Sequence, residues 1–458
     1  MRLRNSPARL AAGSWTYGRA AAVLCGLLCA SSAWAQNSQN SQGSFGALSR
    51  GAGRIGQRAA RDVAIRFYAD ASGIYDTGLT PVSASGTSVA QEGGLYGVEA
   101  GLGVYGKREF QRGQLGIDYK GSYRHYTSNT FFSGANQDLT VGYTWQKSRR
   151  IIFDFSQSAG SSAYANALTF GLPPANDSVI DSTSLLFDNR TNYMRTNVDM
   201  TYMASQRTSF TMGGNWNGVS RQSKALIGVR GYGLRGNIEH QLNARSSVGV
   251  SYDHSHYDFP GSHGGSDIDT FSGTYSRQIG RSWTTSLTAG FYRSQVEGLT
   301  QVAVEPVIAI LLGINFVTQP FYRVNVAPYG KAELVRQFRN ASWSVSYQRY
   351  VTPGNGVYLT SKQQNAASTF SYLGVRRWTF SVNAGYGSLS SLGTALPPYS
   401  QYYAGADLGF AIMDSLHITA GFSGRHQDIE LSSFRRDATR TSLSIAFSPG
   451  SVPLSLRR

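Results

Sequence analysis

The sequence predicts an all-β fold, a closed antiparallel transmembrane β-barrel of about 18 strands, with 16 as the alternative. Three observations carry it. Stretches of alternating apolar and polar residues recur from residue 63 to about 448. The connections alternate short and long. The chain is rich in Gly (52), Tyr (27) and Phe (22), yet its body has no long apolar run. Alternation with a period of two gives a strand one apolar and one polar face.

Residues 1–35 read as a secretory signal peptide. Arg2, Arg4, Arg9 and Arg19 form a basic leader, "AAAVLCGLLCASS" is apolar, and Ala33-Trp34-Ala35 offers a small-x-small cleavage site. The apolar run is too short for a membrane-spanning helix. Both cysteines, Cys25 and Cys29, fall within it. The body is therefore expected to lack disulfides, Cys-ligated metals and a Cys nucleophile. Residues 36–62 are polar, small and basic and read as a periplasmic N-terminal tail.

The barrel is expected over 63–448. "AIRFYADA" opens it. Tyr96, Val98, Ala100, Leu102 and Val104 share the next face, and "GQLGIDYKGSYR" (113–124) follows with Leu115, Ile117, Tyr119 and Tyr123 on one parity. Further sets include Leu139/Val141/Tyr143/Trp145, Phe210/Met212/Trp216, Trp283/Leu287/Phe291 and Leu443/Ile445/Phe447. Each stretch is near the length that crosses a bilayer when tilted. The alternation is weakest at 62–75 and 266–277. The short connections are "GKREFQR", "KSRR", "ASQR", "NAR", "IGR", "RNAS", "RR" and "MDS"; the long ones include 76–94, 160–189, 296–328 and 388–400. Residues 449–458 read as a C-terminal overhang.

These features resemble the outer-membrane β-barrels of diderm bacteria, porins and barrels associated with exopolysaccharide export among them. The resemblance covers 63 to about 448. It implies short periplasmic turns, long extracellular loops, both termini in the periplasm, and contacts with outer-membrane lipid and the assembly machinery. Barrels of this class usually end on an aromatic residue; here Phe447 ends the last strand and "SPGSVPLSLRR" overhangs it.

The inward parity carries the candidate lumen lining: Arg66, Glu99, Asp118, Lys120, Arg124, Asp154, Arg195, Asp199, Arg235, Glu239, Lys331, Glu333, Asp407, Arg425 and Arg440, with Asp70 and Asp253 beside them. Their signs nearly cancel. Unpaired charge in a narrow lumen is costly, so many should pair; a transverse field acting on passing solutes is the second reading, compatible with the first.

The chain carries 42 basic and 26 acidic residues, a formal charge of +16. Export makes nucleic acid an unlikely partner. The surplus gathers at the short turns: Lys107, Arg108, Arg112, Lys147, Arg149, Arg150, Arg207, Arg245, Arg281, Arg339, Arg376 and Arg377. A basic periplasmic rim can anchor to anionic head groups or funnel an anionic polymer or solute.

"VAVEPVIAILLGINFVTQPFY" (302–322) is the most apolar stretch of the body. As a loop it must be buried: folded into the lumen as a constriction, capping the mouth, or packed on a neighbouring subunit. "ANALTFGLPPANDSVIDSTSLLF" (165–187) is a weaker case. "YDHSHY" (252–257) with His263 resembles a metal site, but His254 and His256 share the lipid-side parity of Val248, Val250 and Tyr252. Neither a metal nor a cofactor is expected, and no phosphate loop or nucleotide fingerprint occurs.

The resemblance and the polar lining imply a non-enzymatic outer-membrane channel for small hydrophilic solutes or a secreted saccharide. The alternative is a plugged or structural barrel within an exopolysaccharide export system. An outer-membrane hydrolase is the distant third. Oligomeric state is left open.

Overall fold

The computed structural model describes residues 63–78, 94–127, 133–162, 190–222, 226–262, 264–303, 316–354, 356–372, 375, 377–393, 396, 398–413, 415–429, 434–447 and 452–454. The signal peptide, the N-terminal tail, 165–187, His263 and Arg376 lie outside them. Among the described residues every regular element is a strand: β1 (Val63–Asp76), β2 (Leu95–Phe110), β3 (Gly113–Tyr126), β4 (Gly134–Gln146), β5 (Ile151–Ser162), β6 (Thr191–Met203), β7 (Thr208–Arg221), β8 (Val229–Asn243) and β9 (Ser246–Phe259). They continue as β10 (Gly264–Ile279), β11 (Trp283–Ala303), β12 (Phe316–Gln337), β13 (Ala341–Thr352), β14 (Ser361–Tyr372), β15 (Trp378–Ser391), β16 (Tyr399–Met413), β17 (Leu416–Ile429), β18 (Phe434–Phe447) and the short β19 (Val452–Leu454).

Each strand from β1 to β18 pairs antiparallel with its chain neighbours. Ala69–Asp76 of β1 also pair with Arg440–Phe447 of β18, which closes an 18-strand barrel. The C-terminal overhang is not all outside the sheet: Val452–Leu454 continue the seam by pairing with Val63–Ile65.

Register decides which face meets which medium. Tyr96, Leu102, Leu234 and Phe422 are 64%, 67%, 61% and 56% exposed, all on the outward face of a tube. Large apolar side chains exposed in a continuous belt are what a lipid-facing barrel presents. Closure matters equally, because an open sheet edge would leave backbone groups unsatisfied in lipid. On the inward face, glycines sit beneath cross-strand side chains: Tyr68 lies over Gly103, Tyr257 over Gly231 and Tyr403 over Gly385. Absent Cβ atoms let these rings lie close to the wall.

At one end the strands are joined over 111–112, 147–150, 204–207, 244–245, 280–282, 338–340, 373–377 and 414–415. This is the short-turn end, and both Val63 and Phe447 lie there. At the long-loop end they are joined over 77–94, 127–133, 163–190, 222–228, 260–263, 304–315, 353–360, 392–398 and 430–433.

Three expectations are corrected. Lys107 and Arg108 are not in a turn; β2 runs on to Phe110, and they pair with Gly116 and Leu115. The apolar 302–322 is not all loop: 302–303 end β11 and 316–322 begin β12, so valine-rich alternation extends the hairpin and only 304–315 connect it. The span 296–328 likewise gives most of its residues to strands, and 388–400 gives them its two ends, 388–391 and 399–400.

The β11–β12 hairpin is the tallest feature. Its strands have 21 and 22 residues, about 70 Å at ~3.3 Å per residue, against 12 for β13 and β14. The β12–β13 ladder stops at Gly330↔Arg349, and among the described residues the rest of β12 pairs only with β11. Pro328 is the cause. Gln337 N–H donates to Ser282 O on the β11 side, and Phe338 N–H to Ala341 O on the β13 side. Even-numbered nitrogens of β12 therefore face β13. Pro328 has no hydrogen to give Val351, its next partner in that register, and Pro320 blanks a second position on the same edge.

Val326→Pro, whose nitrogen faces the free edge, is expected to change stability by less than about 1 kcal/mol. Ala327→Pro, whose N–H serves β11, should cost about 3 kcal/mol. Urea unfolding in detergent, followed by tryptophan fluorescence, separates the two; equal losses would contradict this reading of the edge.

Candidate functional site: the lumen and the segment that crosses it

All fifteen residues read as lumen lining lie on the inward register of their strands. The structure brings several together as ion pairs. Arg124 Nε donates to Glu99 Oε2 at 2.8 Å and its second arm reaches the same carboxylate; Ser122 Oγ donates to Oε1 at 2.7 Å. Arg235 grips Asp199 in a two-point contact, with Nε to Oδ1 at 2.8 Å. Arg425 bonds Asp76 at 2.9 Å, and Arg440 faces Asp76 across the closing seam. Two-point guanidinium–carboxylate contacts fix orientation as well as charge.

The others find neutral or aromatic partners, or water. Thr144 Oγ1 donates to Asp154 at 2.6 Å, Arg195 Nε to Asn197 Oδ1 at 3.2 Å, and Ser381 hydrogen-bonds Asp407. The Arg66 guanidinium sits 6.0 Å from the Tyr105 ring centre. Asp118 is buried. Lys120, by contrast, is exposed on the inward face, opposite the equally exposed Asp138. Solvent thus reaches the inner wall at β3–β4. Glu239 and Glu333 line a recess at the short-turn mouth, and Lys331 lies one inward position beyond Glu333.

The basic rim divides in two. Arg112, Arg150, Arg207, Arg245 and Arg377 each immediately precede a strand on its inward register. Their carbonyls accept from Gln146, Met203, Gln241, Gln278 and Ala411 at 2.7–2.8 Å, which extends the ladder and fixes that parity. Arg108 instead faces outward, 5.1 Å from the Phe110 ring; so does Arg336 on β12, which sits 4.8 Å from Trp283 and 4.4 Å from Phe338. Lys107 faces inward and bonds Glu109 at 2.6 Å. Lys147, Arg149, Arg281 and Arg339 occupy the turns themselves.

The long-loop half of the lumen is occupied by residues 353–354 and 356–360 of the connection between β13 and β14, which enter the barrel. Pro353 is under 2% exposed, and Thr360 and Ser361 are 0% exposed. Tyr358 packs with Leu389 of β15 and Tyr399 of β16, beside Val357 and Leu396. Leu359 packs on Val219, Val229 and Phe259, inward residues of β7, β8 and β9. Ile227 N–H donates to Gly356 O at 3.2 Å, and Leu392 N–H to Thr360 O at 2.9 Å. The segment thus spans from its own wall to that of β7–β9. Burial pushes the Tyr358 phenol above its ordinary range and keeps it neutral.

Glycine makes this path available. Gly354 and Gly356 adopt φ of 78° and 94°, where side chains are disfavoured. A Cβ on Gly354 would collide with the Tyr358 carbonyl, and one on Gly356 would lie 2.7 Å from Arg221 Nε.

Sequence reasoning missed this segment because it ranked loops by length and apolarity. The available signal was Val357-Tyr358-Leu359, an apolar trio following two glycines in a short connection. It also missed Asp76 and Asp138, which lie where strands outrun their apolar alternation. His254 and His256 do face outward, each with a β10 partner: Asp269 at 2.9 Å and Asp267 at 2.8 Å.

Arg235→Ala should destabilise the barrel by about 3 kcal/mol, because Asp199 is left charged and largely enclosed. Adding Asp199→Asn should recover more than half. Urea midpoints of the two variants test the pair; no recovery in the double variant would contradict it.

No protein-family model matches the chain, and no curated protein does. Among solved structures it is similar to OccK5 (OpdH) of Pseudomonas aeruginosa, with a TM-score of 0.42, 10% identity, and coverage of 85% of this chain and 98% of that one. It is similar to a BenF-like porin of Pseudomonas fluorescens Pf-5, with a TM-score of 0.43, 10% identity, and coverage of 85% and 99%. OccAB2 of Acinetobacter baumannii gives 0.43, 10%, 84% and 98%. The barrel assignment rests on the strand pairing and not on these likenesses.

Proposed function

We propose that this protein is a passive solute channel of a bacterial outer membrane, with its short turns in the periplasm and its outer mouth narrowed by 353–360. One observation carries the reading: the inward face of a closed, lipid-belted wall holds Lys120 and Asp138 in solvent. A barrel serving only as scaffold has no use for hydrated opposite charges inside. Paired carboxylates and guanidiniums along the wall present a polar path without a large net field.

A second reading is favoured by the burial of Pro353, Tyr358 and Thr360. On that reading the segment is a plug, and the barrel conducts only when the segment leaves.

The two parts of the basic rim support different roles. Arg108 and Arg336, stacked on outward aromatics, suit anchoring at phospholipid head groups. The inward arginines that lead β3, β5, β7, β9 and β15 suit a charged vestibule at the periplasmic mouth.

Single-channel recording in planar bilayers tests the proposal. Wild type should conduct, and replacing 353–360 by a Gly-Ser turn should raise conductance about twofold or more, as a constriction sets the resistance of a pore. Current only after removing 353–360 would establish the plug; none in either would sink the channel reading.

A further inference from the structure

Above the short-turn mouth, lumen charges are neutralised in pairs: Glu99 with Arg124 and Asp76 with Arg425 near the long-loop end, and Asp199 with Arg235 further down the wall. The short-turn mouth is built differently. A recess of about 410 Å³ opens there, with Arg207, Arg245, Glu239 and Glu333 in its lining. Among the described residues no ion pair or side-chain hydrogen bond joins any of the four to another group. Both signs are present around one cavity: Glu239 lies on β8 between the strands that Arg207 and Arg245 lead, and the wall holds Glu333 apart from both arginines.

The register shows how. Ser247, Ser276, Ser286 and Glu333 lie side by side across β9, β10, β11 and β12 on the inward face. Arg245 leads β9, so three strand spacings, about 14 Å of wall, separate its backbone from that of Glu333. The intervening serines are small and uncharged. They leave the depth of the recess free and offer hydroxyls along its floor. Arg207 and Glu239 flank the same recess from the β7–β8 side.

From this geometry we infer that the recess is a binding site for a short zwitterionic peptide, a deepening of the channel reading on which it rests. The peptide carboxylate is held at Arg245, the free amine at Glu333, and the peptide groups over the serine floor. An extended tripeptide spans about 10 Å, which fits between side chains reaching inward from positions about 14 Å apart. The volume lies within the range of small-molecule sites. A ligand with one sign of charge would leave either Arg245 or Glu333 unmatched, whereas a zwitterion answers both.

Calorimetry on the folded protein in detergent micelles tests the site with triglycine, N-acetyl-triglycine and triglycine amide as probes. It reads binding without current, so an empty site and a non-conducting barrel are distinguishable results. Triglycine should bind, and blocking either terminus should weaken binding about tenfold, the worth of one charge-assisted contact. Arg245→Gln should abolish the preference for triglycine over its amide and keep the preference over the N-acetyl form. Glu333→Gln should do the reverse. Both variants should keep the heat-modifiable mobility of a folded barrel, since neither side chain supports the wall. Equal binding of all three probes, no binding of triglycine, or discrimination unchanged in both variants would each overturn the proposal.

Discussion

The pairing of Ala69–Asp76 with Arg440–Phe447 turns a sheet into a tube, and the other features follow from that closure. In hydrocarbon no water exists to satisfy a free N–H or C=O, so the first and last long strands must find each other. Once they do, every strand has an inside and an outside. The outside takes Tyr96, Leu102, Leu234 and Phe422; the inside takes the Glu99–Arg124 and Asp199–Arg235 pairs. Asp76 and Arg425 show the two levels meeting, since their bond crosses the seam between β1 and β17 with β18 between them.

The two halves of the lumen use this interior differently. At the long-loop half, Tyr358 and Leu359 of the connection between β13 and β14 fill space, and Glu99 and Asp76 are gripped by Arg124 and Arg425. Enclosure makes unpaired charge expensive there. At the short-turn half a recess opens, small serines line β9–β11, and Glu333 stands apart from Arg245. The wall itself varies in height for a related reason. Pro328 ends the β12–β13 ladder, freeing the β11–β12 hairpin to rise alone while the short β13–β14 hairpin turns its connection inward.

Much of this was legible in the residues. "GQLGIDYKGSYR" disclosed its faces by parity alone, and Leu115, Ile117 and Tyr123 do point outward while Asp118, Lys120 and Arg124 point in. The same rule placed the whole candidate lining, because a period of two leaves no freedom once one face is known. Partners were not legible: that Arg124 takes Glu99 depends on the β2–β3 register, which alternation does not set. Strand ends were blurred where alternation fades, hence Lys107 and Arg108 inside β2 and 316–322 inside β12. The crossing segment escaped because its burial comes from contacts with β7–β9 and β15–β16, far away in the chain, and Val357-Tyr358-Leu359 is too brief to announce them.

The central claim is that 353–360 is interior structure and not a surface loop. Amide hydrogen exchange of the folded protein, read by mass spectrometry on peptides covering 352–361, tests it most directly. A segment pinned through Tyr358, Leu359 and Thr360 should exchange as slowly as the β13 and β14 peptides beside it, more than about a hundredfold slower than an unstructured chain. Exchange at the rate of a free peptide, with β13 and β14 still protected, would contradict the account.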